Sequence, residues 1–227
     1  MPRRQFYMSF DIPMKTTGAY NRNSINGIGN VKGAVSKNNI IRNTAEKCSS
    51  AVLQRGQKIK LSDNRLKFYF GWNVKNSECD LDGSAFMLDS SGKVISDEWF
   101  IFYGNPQSPD KSLSYKPYQQ NNGAEIDINT SGINPKVQKI VMSVTIYEAF
   151  EKNLNFGMTE NVYVRIAESS RNSEIARFDI DDCFSSITAL VIGELYRYNN
   201  EWRFSAVGSG VKRDLAGFCR MYGVNLA

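Results

Sequence analysis

Lys139-Ile-Val-Met-Ser-Val-Thr-Ile-Tyr147 is the most strand-like run in the chain. Apolar and β-branched residues occupy both parities, so both faces call for burial, and the run predicts a central strand. Similar short segments lie on either side of it. Upstream stand Lys58–Leu61, the aromatic Leu66–Trp72, Leu81–Leu88 ending at Asp89-Ser-Ser-Gly92, and Glu98–Tyr103 ending at Gly104-Asn105-Pro106. Downstream stand Val162–Ile166, Glu174–Ile180, Ala189–Tyr198 and Glu201–Val207, the last two joined by Asn199-Asn200, a tight hairpin signal. About nine short strands with few helical intervals predict an all-β fold, an antiparallel β-sandwich of two sheets. A short C-terminal helix completes it: Val211, Leu215, Phe218 and Cys219 fall on one helical stripe, Ser209 or Gly210 can cap its start, and Gly223 is placed to end it. The Asn-rich interval from Gly104 to Gly132 reads as a long loop.

Composition narrows the function before any motif is considered. The chain has 227 residues, 41% hydrophobic and 22% charged, and no histidine. Imidazole bases, Ser–His or Cys–His nucleophiles and His-containing zinc sites are therefore excluded. The four cysteines, Cys48, Cys79, Cys183 and Cys219, form no C-x-x-C pair, which argues against a redox dithiol or a zinc ribbon and fits reduced thiols in the cytoplasm. No run of 18 apolar residues occurs, so no transmembrane segment is expected. From the residues at its start, neither a secretory signal nor N-myristoylation is expected.

The formal charge of +5 is unevenly spread. Residues 1–50 hold eight of the 28 basic and two of the 23 acidic side chains, leaving 20 and 21 for the rest. The basic excess belongs to a leader rich in Asn, Ser and Gly, too sparse in apolar residues to offset its ordering entropy. Residues 1–50 are thus expected to be a flexible, low-complexity leader, and 51–227 the folded domain. No nucleic-acid partner is expected of a body this close to neutrality.

Two acidic clusters carry the chemistry. One is Asp80-Leu-Asp82; the other is Asp179-Ile-Asp181-Asp182. On an extended chain, residues i and i+2 project to one side, so each D-x-D sets two carboxylates next to each other. Such a pair repels unless a cation sits between. Oxygen-only ligands suit Ca2+ first and Mg2+ second. The competing reading is a pair of solvated acidic turns, since D-x-D is common. No EF-hand spacing, Walker A motif or G-x-G-x-x-G fingerprint occurs. Glycoside hydrolysis, the other use of paired carboxylates, lacks any sign of a sugar cleft.

The stretch from Leu53 to Leu226 resembles the TerD family, the tellurium-resistance and stress-response proteins of bacteria. The likeness rests on Gly71-Trp72, Asp80-Leu-Asp-Gly-Ser-Ala-Phe86, Asn155-Phe-Gly157, Glu174-Ile-Ala-Arg-Phe-Asp179, Gly193-Glu-Leu-Tyr-Arg197, Glu201-Trp-Arg-Phe204 and Cys219-Arg-Met-Tyr-Gly-Val-Asn225. The resemblance implies a two-sheet β-sandwich and Ca2+ held by clustered carboxylates at one end, with Asp80, Asp82, Asp179, Asp181 and Asp182 as the matching acids. It also implies protein partners, including TerD-type paralogues, in complexes peripheral to the inner face of the membrane. One departure weakens the metal expectation. Where the family carries a highly acidic loop, this chain reads Ser114-Tyr-Lys-Pro-Tyr-Gln-Gln-Asn-Asn-Gly-Ala124, and Asn73 replaces the Asp usual after Gly-Trp. Calcium affinity follows the number of anionic ligands. The expectation is a non-catalytic stress-response module with a weakened Ca2+ site, the alternative being a metal-independent interaction module. An enzyme is not expected.

Overall fold

The computed structural model describes residues 50–117, 123–180 and 185–226. The leader expected for residues 1–50 falls, except Ser50, outside the described residues. Twelve strands are described: β1 (Ala51–Val52), β2 (Lys58–Lys60), β3 (Arg65–Val74), β4 (Leu81–Leu88), β5 (Phe100–Ile101), β6 (Leu113–Pro117), β7 (Gly123–Asn129), β8 (Lys139–Ile146), β9 (Thr159–Glu168), β10 (Glu174–Ile180), β11 (Ala189–Tyr198) and β12 (Glu201–Val211). They form two six-stranded sheets, one in the order β1-β10-β9-β3-β7-β6 and the other β2-β12-β11-β8-β4-β5. Every pairing is antiparallel except β1 with β10.

The apolar run at 139–146 lies inside its sheet, between β11 and β4, and seven of its eight residues are buried. This is the burial on both faces that its composition demands. Phe68 and Phe70 of β3, Ile126 of β7 and Phe204 of β12 are fully buried and belong to the core. The hairpin between β11 and β12 turns at Asn199 and Asn200, both left-handed at φ +49° and +61°. Two consecutive positive φ values are the type I′ geometry that matches strand twist, and Asn tolerates them.

The structure departs from the sequence reading in three places. The interval 104–132 is not one loop, because it contains β6 and β7. In β7, Ala124, Ile126 and Ile128 are buried and alternate with half-exposed Glu125 and Asp127, a period of two that the surrounding amides mask. Of the segment 98–103, only Phe100–Ile101 is strand, preceded by a 3-10 turn at Asp97–Trp99. The helix, α1, spans Leu215–Tyr222, while Val211 ends β12. Its N-cap is Asp214, whose carboxylate accepts from the Gly217 N–H at 2.6 Å. Gly223 ends it at φ +79°, as the stripe required. Phe218 and Tyr222 pack onto Phe86 of β4, with ring centroids at 6.3 and 4.7 Å.

Candidate functional site

The site is built at the start of β4. The turn before it is set by Asn76, whose carbonyl accepts from Cys79 N at 3.0 Å and whose side chain accepts from Glu78 N at 3.0 Å. The Asp80 carbonyl then accepts from Tyr147 N at 2.8 Å, fastening the acid pair to the end of β8. Leu81 and Asp82 pair with Ile146 and Thr145. On its other side β4 pairs with β5 only at Ala85 and Phe86, so its first residues form an open edge.

Alternation along β4 orients Asp82. Gly83 faces the opposite sheet so closely that a Cβ there would lie 2.8 Å from Cβ of Ala124 and 3.7 Å from Cε2 of Tyr115. Only glycine fits that approach. Its neighbour Asp82 therefore projects to the outward side of its own sheet, as Phe86 does four residues on. Asp82 is half-buried, and its carboxylate makes no hydrogen bond or ion pair among the described residues. Burial, and secondarily the charge of Asp80, push its carboxyl up to about 6.

Three tyrosines lie within electrostatic reach of Asp82, and sequence reasoning missed them. Burial raises the Tyr103 phenol, with smaller contributions from Asp82, Tyr147 and Asp80. Tyr115 is buried and feels Asp82 most among the charges around it. Tyr147 stands on the turn after β8 and also senses Asp82, after its stronger hydrogen bond with Glu148. The residue types are all oxygen donors, and no lysine or arginine is paired with Asp82 among the described residues.

The second cluster is placed differently. Asp179 lies on β10, where Ala176, Phe178 and Ile180 are buried, so Arg177 and Asp179 share the outward face. Arg177 donates from Nε to Asp179 Oδ1 at 2.7 Å, and its guanidinium carbon lies 4.0 Å from the Tyr163 ring centroid. Asp82 and Asp179 thus project outward from different sheets, and Asp179 already has its counter-charge. The structure brings Asp80 and Asp82 together and does not bring Asp179 to them. Asp181 and Asp182 lie outside the described residues. Among the described residues, no three acidic or cysteine side chains converge on one point.

Comparison with known proteins supplies the family. A family model described as the TerD domain matches residues 50–222. The chain belongs to the TerD family. This TerD-family chain is 37% identical over 163 residues to the tellurium resistance protein TerD of Serratia marcescens, covering 68% of the chain and 85% of that protein. It is 34% identical over 188 residues to general stress protein 16U of Bacillus subtilis, covering 77% and 97%. A chemical-damaging agent resistance protein B of Clostridium acetobutylicum is 36% identical over 138 residues, 59% of this chain and 99% of that one. Among solved structures, a TerD homologue from Streptomyces coelicolor A3(2) superposes with a TM-score of 0.51 at 18% identity, covering 68% of this chain and 94% of its own. That likeness is one of fold, and it carries the two-sheet architecture expected from the strands.

Proposed function

We propose that this TerD-family chain serves tellurium resistance or a general stress response as a non-catalytic interaction module, with Asp80 and Asp82 holding a divalent cation of the calcium class. The observation that carries the reading is Asp82: a half-buried carboxylate with no counter-charge, set beside a second carboxylate. An uncompensated charge in that position is costly, and a hard cation offsets the cost. The donors fit the ion in kind, being oxygen throughout. They are few, so the site is weak. The cation's part is electrostatic, stabilising the folded module for docking.

The names of the relatives support the stress-response assignment, and the chemistry of the described residues supports a module without catalysis. Cys79 and Cys219 are buried, and burial pushes their thiols up to about 11 and 12, far from nucleophilic thiolate. Among the described residues, no helix is long and apolar enough to cross a membrane. The proposed partners are proteins, TerD-type paralogues among them, in a cytoplasmic complex peripheral to the inner membrane face.

The test is the melting temperature of the full chain in Ca2+ and in chelator. Binding to the folded state alone adds RT ln(1 + [L]/Kd), about 1.4 kcal/mol at ten times Kd. Wild type is expected to gain stability in millimolar Ca2+, and Asp82→Asn is expected to gain none. The second reading is the metal-independent module, favoured by the Arg177–Asp179 pair, which leaves Asp80 and Asp82 as the unpaired acids among the described candidate ligands. Identical melting of wild type in Ca2+ and in chelator would select it.

A further inference from the structure

β2 is the outermost strand of its sheet, so one of its edges has no neighbouring strand among the described residues. Leu61 N donates to Trp202 O at 3.1 Å and Gln57 O accepts from Ala206 N at 3.0 Å, so the odd-numbered residues turn their backbone groups toward β12. Alternation leaves the N–H and C=O of Lys58 and Lys60 at the free edge. The edges at β5 and β6 differ, because the chain itself occupies them. Asn105 Nδ2 donates to Phe100 O at 2.8 Å, Tyr115 N to Pro106 O at 2.8 Å, and Ser108 N to Leu113 O at 3.0 Å.

The side chains along the β2 edge carry one sign. Lys58 and Lys60 are exposed two residues apart, and their partners across the ladder are Ser205 and Arg203. Cations set directly opposite repel. One carboxylate answers two of the three: Glu201 lies 2.5 Å from Lys60 and 3.8 Å from Arg203. Lys58 has no ion pair among the described residues. The Arg203 guanidinium is held over the Tyr198 ring at 4.3 Å, with its buried Nε lacking an acceptor.

We propose that the β2 edge takes up an extended acidic peptide of a partner protein as a further strand, with carboxylates at alternate positions facing Lys58 and Lys60. This deepens the interaction-module reading above and does not depend on its cation. In strand addition, main-chain pairing supplies affinity and side chains at period two supply selection. Lysines on an edge also guard it, and the charge that turns away apolar or basic strands admits an acidic one. A lipid surface would answer the ammonium groups but offers no row of N–H donors for the two free carbonyls.

The experiment follows the fluorescence anisotropy of a labelled ten-residue peptide alternating Glu with Thr as the full chain is added. Its controls are the same peptide with Lys for Glu, and one N-methylated at every backbone amide, which keeps the charge and removes the donors. Wild type is expected to bind the Glu peptide, more weakly as salt is raised, and to bind neither control. Lys58→Ala is expected to weaken binding about two- to fivefold, the size of one cross-strand charge pair. Lys58→Glu with Lys60→Glu is expected to reverse the choice, taking the Lys peptide and refusing the Glu peptide. If that variant does not fold, the three peptides on wild type still decide. Equal binding of the N-methylated peptide shows charge attraction without strand pairing and overturns the proposal. So does failure of the Glu peptide to bind, which leaves a guarded edge, or binding to phosphatidylserine–phosphatidylcholine vesicles in its place. A Ca2+ shift of the melting temperature that persists in those cases keeps the cation reading while the edge is given up.

Discussion

Asp82 and Asp110 are both half-buried aspartates, yet their surroundings are opposite. Asp110 accepts four hydrogen bonds: from Ser108 Oγ at 2.6 Å, Ser112 N at 2.9 Å, Ser112 Oγ at 2.7 Å, and, on its other oxygen, Asn134 N at 2.8 Å. Burial raises its carboxyl, but these four donors outweigh burial and hold it below the usual range. Asp82 has burial and a like charge nearby and no donor, so it moves up to about 6. Depth alone does not fix a carboxylate's state. The donors around it do, and an acid left without them is where a ligand's contribution can enter.

Removing Asp110 should give the largest effect. Its carboxylate ties the 108–112 turn before β6 to the start of the 134–137 turn before β8. Asp110→Ala should cost about 2–4 kcal/mol, because hydrogen bonds to a charged acceptor are strong and two backbone donors are left unmet. Urea unfolding at neutral pH measures it. The sign of the pH dependence follows from the lowered carboxyl. The folded pKa lies below the unfolded value near 4, so the stabilisation is full above that value and fades as pH falls through the folded one. A loss below about 0.5 kcal/mol would mean the turn holds without its acceptor.

Asp82 should behave in the reverse sense. Its folded pKa of about 6 lies above the unfolded value near 4, so the folded state binds the proton more tightly. In chelator, ionised Asp82 destabilises the protein fully above pH 6, and the penalty is relieved as pH falls toward 4. Asp82→Asn should therefore be more stable than wild type at pH 7.5 by about 1–2 kcal/mol, discounted for partial exposure, with no difference at pH 4. Parallel melting series with both chains read this directly. A variant less stable than wild type at pH 7.5 in chelator would show that Asp82 has a partner, and that the contrast with Asp110 is false.

The fold is legible where burial writes itself into composition. The run 139–146 is apolar on both parities because β8 has a neighbour on each side and covered faces. Asn199-Asn200 announces a hairpin because few residues accept two left-handed conformations in succession. β6 and β7 are hidden, since the pattern Ala124, Ile126, Ile128 is short and sits next to amides and lysine. Val211 reads as helix because spacing cannot tell the last apolar residue of a strand from the first of a helical stripe. Asp214 is the cap signal available there. For the site, D-x-D puts Asp80 within electrostatic reach of Asp82 because the two are close in sequence. Whether that pair meets Asp179 depends on which sheet each strand joins and which face each acid takes, and neither is a local property.

The smallest effect concerns Asp179, and it sharpens the contrast between an acid that is answered and one that is not. Asp179 and Arg177 are each about a third exposed, with side-chain exposures of 36% and 35%. A surface pair of this kind contributes about 0.2–1 kcal/mol. Stacking of the Arg177 guanidinium on Tyr163 adds about 0.5–1 kcal/mol that does not depend on Asp179. Asp179→Asn should therefore cost less than Arg177→Ala, and a double-mutant cycle should give a coupling of about 0.5 kcal/mol that shrinks with added salt. Because its charge is already met, Asp179→Asn should leave the Ca2+ shift of the melting temperature as in wild type. If that shift disappears instead, Asp179 releases Arg177 to join the ion, and the two clusters act as one site despite facing outward from different sheets.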